Sequence, residues 1–217
     1  MPVPIKAVIF DIDGTLLDSL DDLADSANAA LAAANCPTHP ADAYRLFVGD
    51  GMETLMRRAA PAGADEKKIR ALYEAVRQNY AANWRNKTCP YDGIVPLLEY
   101  LLAKRLPLAV LSNKPHDFSQ LAIRHFFPDI PFVSVRGKTE TGKGKPDPSG
   151  ALAIAAEIGV NPGRLLFVGD SGVDMDTSAN AGAIPAGALW GFRSREELVE
   201  HGARLLLDRP QDIMEYC

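Results

Sequence analysis

Residues 7–19 read AVIFDIDGTLLDS. The apolar run Ala7–Phe10 is short and continuous rather than alternating, as expected of a strand covered on both faces. It stops at a carboxylate, Asp11. A second, Asp13, follows two positions later, ahead of Gly14 and Thr15. Two acidic groups at one strand end repel each other unless a neighbouring charge offsets the repulsion, so the pair calls for an explanation.

Comparable runs recur at Leu108–Leu111, Phe132–Val135, Leu165–Val168 and Ala186–Leu189, with a weaker one at Leu205–Leu207. Helical patterns separate them. Leu97, Leu98, Leu101 and Leu102 share one face of Ile94–Arg105, and Ala151–Ile158 lies between Pro148 and Gly159. Ser194 and Glu197 have the spacing of a capping box. Strands alternating with helices predict a parallel α/β sheet.

The stretch Asp18–Lys87 departs from this alternation and contains no convincing strand. Leu20, Leu23, Ala24, Ala27, Leu31 and Ala34 follow an i, i+3, i+4 rhythm, as do Ile69, Leu72, Tyr73, Val76 and Tyr80. We therefore expect an all-helical insertion, 18–87, placed after the first strand of a core formed by 1–17 and 88–217. Asp18, Asp21, Asp22 and Asp25 are expected to stabilise the start of its first helix.

The composition is globular: 47% hydrophobic and 24% charged over 217 residues. A net charge of −5 gives no basic footprint for nucleic acid. It does not argue against an anionic substrate, because a local site can oppose the overall sign. Cys36, Cys89 and Cys217 form no CxxC pair and read as reduced thiols, and the histidines lack metal-ligand spacing. The apolar runs are too short to span a bilayer and no signal pattern precedes Ala7, so a cytoplasmic protein without membrane contact is expected.

Aspartate marks a second strand end. Asp170 follows Leu165–Val168 and Gly169, and Asp174 comes four residues later, entering a helix. In a parallel sheet all strand C-termini lie on one edge, so these carboxylates converge there if their strands are neighbours. A third strand end supplies Ser112 and Asn113, and the loop GKGKPDP supplies Lys145 beside Pro146. Two unit charges 4 Å apart interact by about 4 kcal/mol at an effective dielectric near 20, so converging aspartates need a counter-charge. A hard cation with oxygen ligands provides it, and Mg²⁺ suits few carboxylates and several waters. With Lys145 it makes the site attractive to a phosphate dianion, which Ser112 and backbone N–H groups near Gly14 can hydrogen-bond. Asp11 then serves as a nucleophile on phosphorus, and Asp13 as the acid and base for leaving group and water. Gly14 is expected to let the loop approach the phosphate closely.

Taken in order, DIDGTLLDS, LSNK, GKPDP and VGDSGVDM resemble the four motifs of the haloacid dehalogenase-like phosphohydrolase superfamily. The resemblance implies a Rossmann-like core with an inserted helical cap. It also implies Mg²⁺ held by Asp11, the backbone carbonyl of Asp13, and Asp170, with Asp174 in support. The presence of Asp13 argues for a phosphatase over a dehalogenase or phosphonatase. The segment FVGDGMETLMRRA, Phe47–Ala59, resembles that of phosphoglycolate phosphatases, in which a Gly-rich turn opens a helix facing the active site. Gly49, Gly51, Arg57 and Arg58 thus become candidates for specificity, with 2-phosphoglycolate the leading small phosphorylated metabolite. The alternatives are a phosphosugar phosphatase or phosphomutase of the same superfamily and, in another class, a non-catalytic receiver-like phosphate-sensing domain. Monomer and dimer both remain open.

Overall fold

The computed structural model describes residues 4–217. Its first half contains β1 (Ala7–Phe10), β2 (Leu17–Asp18), α1 (Leu20–Ala33), α2 (Tyr44–Phe47), α3 (Met52–Ala59), α4 (Glu66–Asn83), β3 (Cys89–Pro90) and α5 (Ile94–Ala103). The second half contains β4 (Leu108–Pro115), α6 (His116–Phe126), β5 (Ser134–Lys138), α7 (Ser149–Ile158), β6 (Leu165–Gly169), α8 (Gly172–Ala181), β7 (Ile184–Ala188), α9 (Arg195–Glu200) and β8 (Leu205–Leu207).

Six strands form one sheet in the order β5-β4-β1-β6-β7-β8, and every pairing is parallel. The expected α/β architecture is therefore present. All four residues of β1 are fully buried, because helices cover both faces. Val8 and Phe10 join the core that includes Leu97, Leu98 and Leu101 of α5. Ala7 and Ile9, alternating with them, join Ala151, Ile154 and Ala155 of α7 on the other side. Each large aliphatic or aromatic side chain so buried contributes about 1.5–3 kcal/mol, which anchors the strand that carries the site.

Register sets the site. Phe10 lies opposite Val110 of β4 and Val168 of β6, so β1 ends level with both neighbours. Asp11 continues the ladder by donating its N–H to the Val168 carbonyl at 2.9 Å. The strand boundaries differ from expectation in three places. β4 runs on past Leu111 to Pro115, because Ser112, Asn113 and Lys114 are buried with polar partners instead of forming a turn. β5 begins at Ser134 rather than Phe132, whose N–H still closes a turn onto Ile130. β7 starts two residues early, at Ile184.

Helices α1 to α4 occupy 20–83, and no strand lies among them. The chain enters and leaves this region through an antiparallel ribbon that pairs Leu17 with Pro90 and Asp18 with Cys89. Asp21 and Asp22 stand in the first turn of α1 as expected. Asp22 does more: only 1% exposed, it accepts the N–H groups of Lys87 and Thr88 and the Thr88 hydroxyl, tying α1 to the returning chain. Asp25 likewise pairs with Lys87 at 2.8 Å. The capping box at α9 is half made. Ser194 accepts the Glu197 N–H, but the Glu197 carboxylate accepts the N–H of Gly172 instead of reaching back.

Candidate active site

Three carboxylates converge at the C-terminal edge of the sheet. Asp11 follows β1, Asp170 follows β6, and Asp174 stands in the first turn of α8. All three are buried, and an oxygen of each lies within 4.8 Å of the others. Asp174 is held by its own helix start: one oxygen accepts the Ser171 hydroxyl at 2.6 Å and its N–H at 3.1 Å. The other accepts from Lys145 Nζ at 2.5 Å. That ammonium also lies 2.9 Å from Asp11 Oδ1 and pairs with its charge. Asp170 is fixed by the Phe192 N–H at 2.7 Å, with the Thr15 hydroxyl at 3.4 Å.

The electrostatics follow from counting charges. One ammonium stands among three buried carboxylates. Burial pushes the Asp11 carboxyl up to about 6; Lys145 opposes this, while Asp174 and Asp13 add to it. Burial raises Asp170 well above the ordinary carboxylate range, with Asp174 and Asp11 reinforcing. Burial works against the Lys145 ammonium, yet Asp11 and Asp174 outweigh it and hold its pKa above the usual value. An all-oxygen donor set and surplus negative charge together suit a small divalent cation.

Beside this cluster lies a second ion pair. Asp13 accepts from Lys114 Nζ at 2.8 and 3.1 Å and from the Ser19 hydroxyl at 2.6 Å. The same ammonium donates to the Tyr80 hydroxyl of α4 at 2.7 Å. The sequence reading missed Lys114, because Ser-Asn-Lys after an apolar run reads as a turn, whereas β4 continues with a shift of register to Pro115.

Of the other candidates, Ser112 lines the small cavity next to Asp11 and Asp13. Asn113 lines the same cavity, and its amide donates to the carbonyls of Gly49 and Lys145 and accepts the Lys145 N–H. Gly14 donates its N–H to the Leu17 carbonyl, and at φ +85° a Cβ there would strike the Asp170 carboxylate, so the bare backbone makes room for that side chain. Gly49 and Gly51 line the cavity, and Gly51, at φ +92°, opens α3.

Arg57 and Arg58 line neither this cavity nor the larger one beside it. Arg57 pairs with Glu53 and Glu66, and Arg58 with Asp50. These acids lie close in sequence, which is why the arginines fold back onto their own region. The cavity over Asp11 and Asp13 is only about 30 Å³. A larger one of about 740 Å³, which lacks the aspartates, shares Gly51, Met52, Asn113 and Pro115 with it and extends outward past Arg70 and Lys138.

Comparison with known proteins agrees with this geometry. Over 98% of its length the chain is 32% identical to a phosphoglycolate phosphatase from Pseudomonas putida, covering 79% of that protein. It is 29% identical to an N-acetylmuramic acid 6-phosphate phosphatase from Pseudomonas aeruginosa, covering 97% of this chain and 94% of the relative. The crystal structure of a predicted phosphoglycolate phosphatase from Haemophilus somnus superposes with a TM-score of 0.90 at 29% identity, covering 97% of each chain. Residues 8–188, which hold every carboxylate of the cluster and both buried lysines, match the haloacid dehalogenase-like hydrolases, and the chain belongs to that family.

Proposed function

We propose that this protein is a Mg²⁺-dependent phosphatase that hydrolyses a small phosphate monoester through an aspartyl-phosphate, with 2-phosphoglycolate the leading substrate. The observation that carries the proposal is the placement of Lys145 between Asp11 and Asp174, with Asp170 completing the acidic cluster and Asp13 two residues from Asp11.

In the first half-reaction a carboxylate oxygen of Asp11 attacks phosphorus and the ester P–O bond breaks. Asp13 gives its proton to the departing alkoxide. In the second half-reaction Asp13 takes a proton from water, the water oxygen attacks phosphorus, and the bond to Asp11 breaks to release phosphate. Lys145 holds Asp11 in line, and the Ser112 hydroxyl donates to a phosphate oxygen. Asp11, the Asp13 carbonyl and Asp170 would hold Mg²⁺, supported by Asp174; the ion supplies positive charge against the carboxylates and the phosphoryl group.

The helical segment 18–87 acts as a cap over a core of 1–17 and 88–217. Contacts from Asn113 to the Gly49 carbonyl and from Arg193 to the Val48 carbonyl support this reading, because they seat the Gly-rich turn against the site. We also infer a cytoplasmic enzyme; among the described residues no helix is long and apolar enough to cross a membrane.

The relative from Pseudomonas putida supports 2-phosphoglycolate. A second reading, a phosphosugar substrate, is favoured by the cavity of about 740 Å³, much more than a glycolate group needs, and by the N-acetylmuramic acid 6-phosphate phosphatase relative. Phosphate release from a panel of monoesters, with and without Mg²⁺, tests both. A sugar phosphate preferred tenfold in kcat/KM overturns the choice of 2-phosphoglycolate. Activity undiminished by chelation overturns the metal assignment.

A further inference from the structure

We propose that Lys114 and Tyr80 are positioning residues that make the acid–base work of Asp13 depend on the inserted helices. The inference rests on the phosphatase reading above.

Lys114 is buried to 3% exposure, and its ammonium has three donors for three acceptor atoms: both Asp13 oxygens and the Tyr80 hydroxyl. A buried ammonium with every donor used has one low-energy orientation. Asp13 is fixed in turn, since Ser19 holds the same oxygen that Lys114 approaches most closely. The third acceptor comes from a different part of the fold. Tyr80 belongs to α4, is 1% exposed, and is set edge-on against Phe118 of α6 with ring centroids 5.2 Å apart. If α4 lifts, Lys114 loses a hydrogen-bond acceptor, and Asp13 loses the constraint that aims it. The acid is therefore fully oriented only while the helices cover the site, when bulk water is excluded.

An acid out of place harms reactions according to how much the leaving group needs a proton. An alkoxide needs one; p-nitrophenolate does not. The experiment is single-turnover release of the leaving group from an alkyl phosphate substrate and from p-nitrophenyl phosphate, with Mg²⁺ present, for the wild type, Tyr80→Phe and Lys114→Met. Tyr80→Phe should slow release from the alkyl ester about tenfold while changing p-nitrophenol release by less than about twofold, and Lys114→Met should widen the gap to about a hundredfold. Tyr80→Phe removes a single oxygen, so it carries the test alone if Lys114→Met does not fold. Equal slowing on both substrates, or none on either, overturns the inference and leaves the phosphatase reading standing. Absence of turnover by the wild type on every monoester overturns both.

Discussion

Replacing Asp11 with asparagine should abolish turnover and, in metal-free protein at neutral pH, raise thermal stability. The magnitude follows from burial. The Asp11 carboxyl is pushed from 3.8 to about 6 in the folded state, chiefly by burial, with Asp174 and Asp13 adding and Lys145 opposing. At about 1.4 kcal/mol per pKa unit, ionised Asp11 costs the metal-free fold about 3 kcal/mol. The sign is that of a raised acid. The folded state holds this proton more tightly than the unfolded state, so the penalty is absent well below pH 4, grows as pH rises, and is complete above about pH 6. The amide of the Asp11→Asn variant carries no charge and escapes it. For a chain of this size about 3 kcal/mol corresponds to a gain of about 6–12 °C in Tm. Scanning calorimetry in a chelator, at pH 4 and pH 7.5, is the assay. A lower Tm for the variant at pH 7.5, or a gain as large at pH 4, would refute the argument. Added Mg²⁺ should narrow the gap by stabilising the wild type more.

Asp22→Ala should cost about 3 kcal/mol, read from the urea midpoint, because it orphans the buried N–H of Thr88, its hydroxyl and the Lys87 N–H together. A loss below about 1 kcal/mol would show that water takes over those donors. Gly14→Ala should lower kcat about a hundredfold with unchanged circular dichroism, since the added Cβ displaces the Asp170 carboxylate; wild-type kinetics would contradict the steric assignment. Arg57→Ala and Arg58→Ala should each leave kcat/KM within about twofold, as expected of exposed ion pairs. A tenfold rise in KM would mean that these arginines reach the substrate after all.

Much of the architecture was legible because the central strands are buried on both faces and so read as unbroken apolar runs. Ala7–Phe10 and Leu165–Gly169 coincide with expectation to within one residue, and their shared edge brings Asp11, Asp170 and Asp174 together. Lys145 could be singled out from its neighbours only by the Pro-Asp-Pro after it, and it is the lysine that reaches the cluster. What escaped were features that depend on partners far away in the chain. Gly14 owes its role to a carboxylate at position 170, and Asp22 to amides at 87 and 88. Lys114 was hidden by chemistry: Ser-Asn-Lys after an apolar run looks like a turn, whereas buried polar partners let the strand continue. The pairing of Arg57 with Glu53 and Glu66, and of Arg58 with Asp50, could have been anticipated from acids lying close in the sequence.

The ribbon that pairs Leu17 with Pro90 and Asp18 with Cys89 brings the two ends of the helical segment side by side. That stretch must start and finish about 5 Å apart, and here it also reaches back to the core, through Tyr80 to Lys114 and through the carbonyls of Gly49 and Val48 to Asn113 and Arg193. Its length can change between those fixed points while the carboxylates and Lys145 keep their spacing.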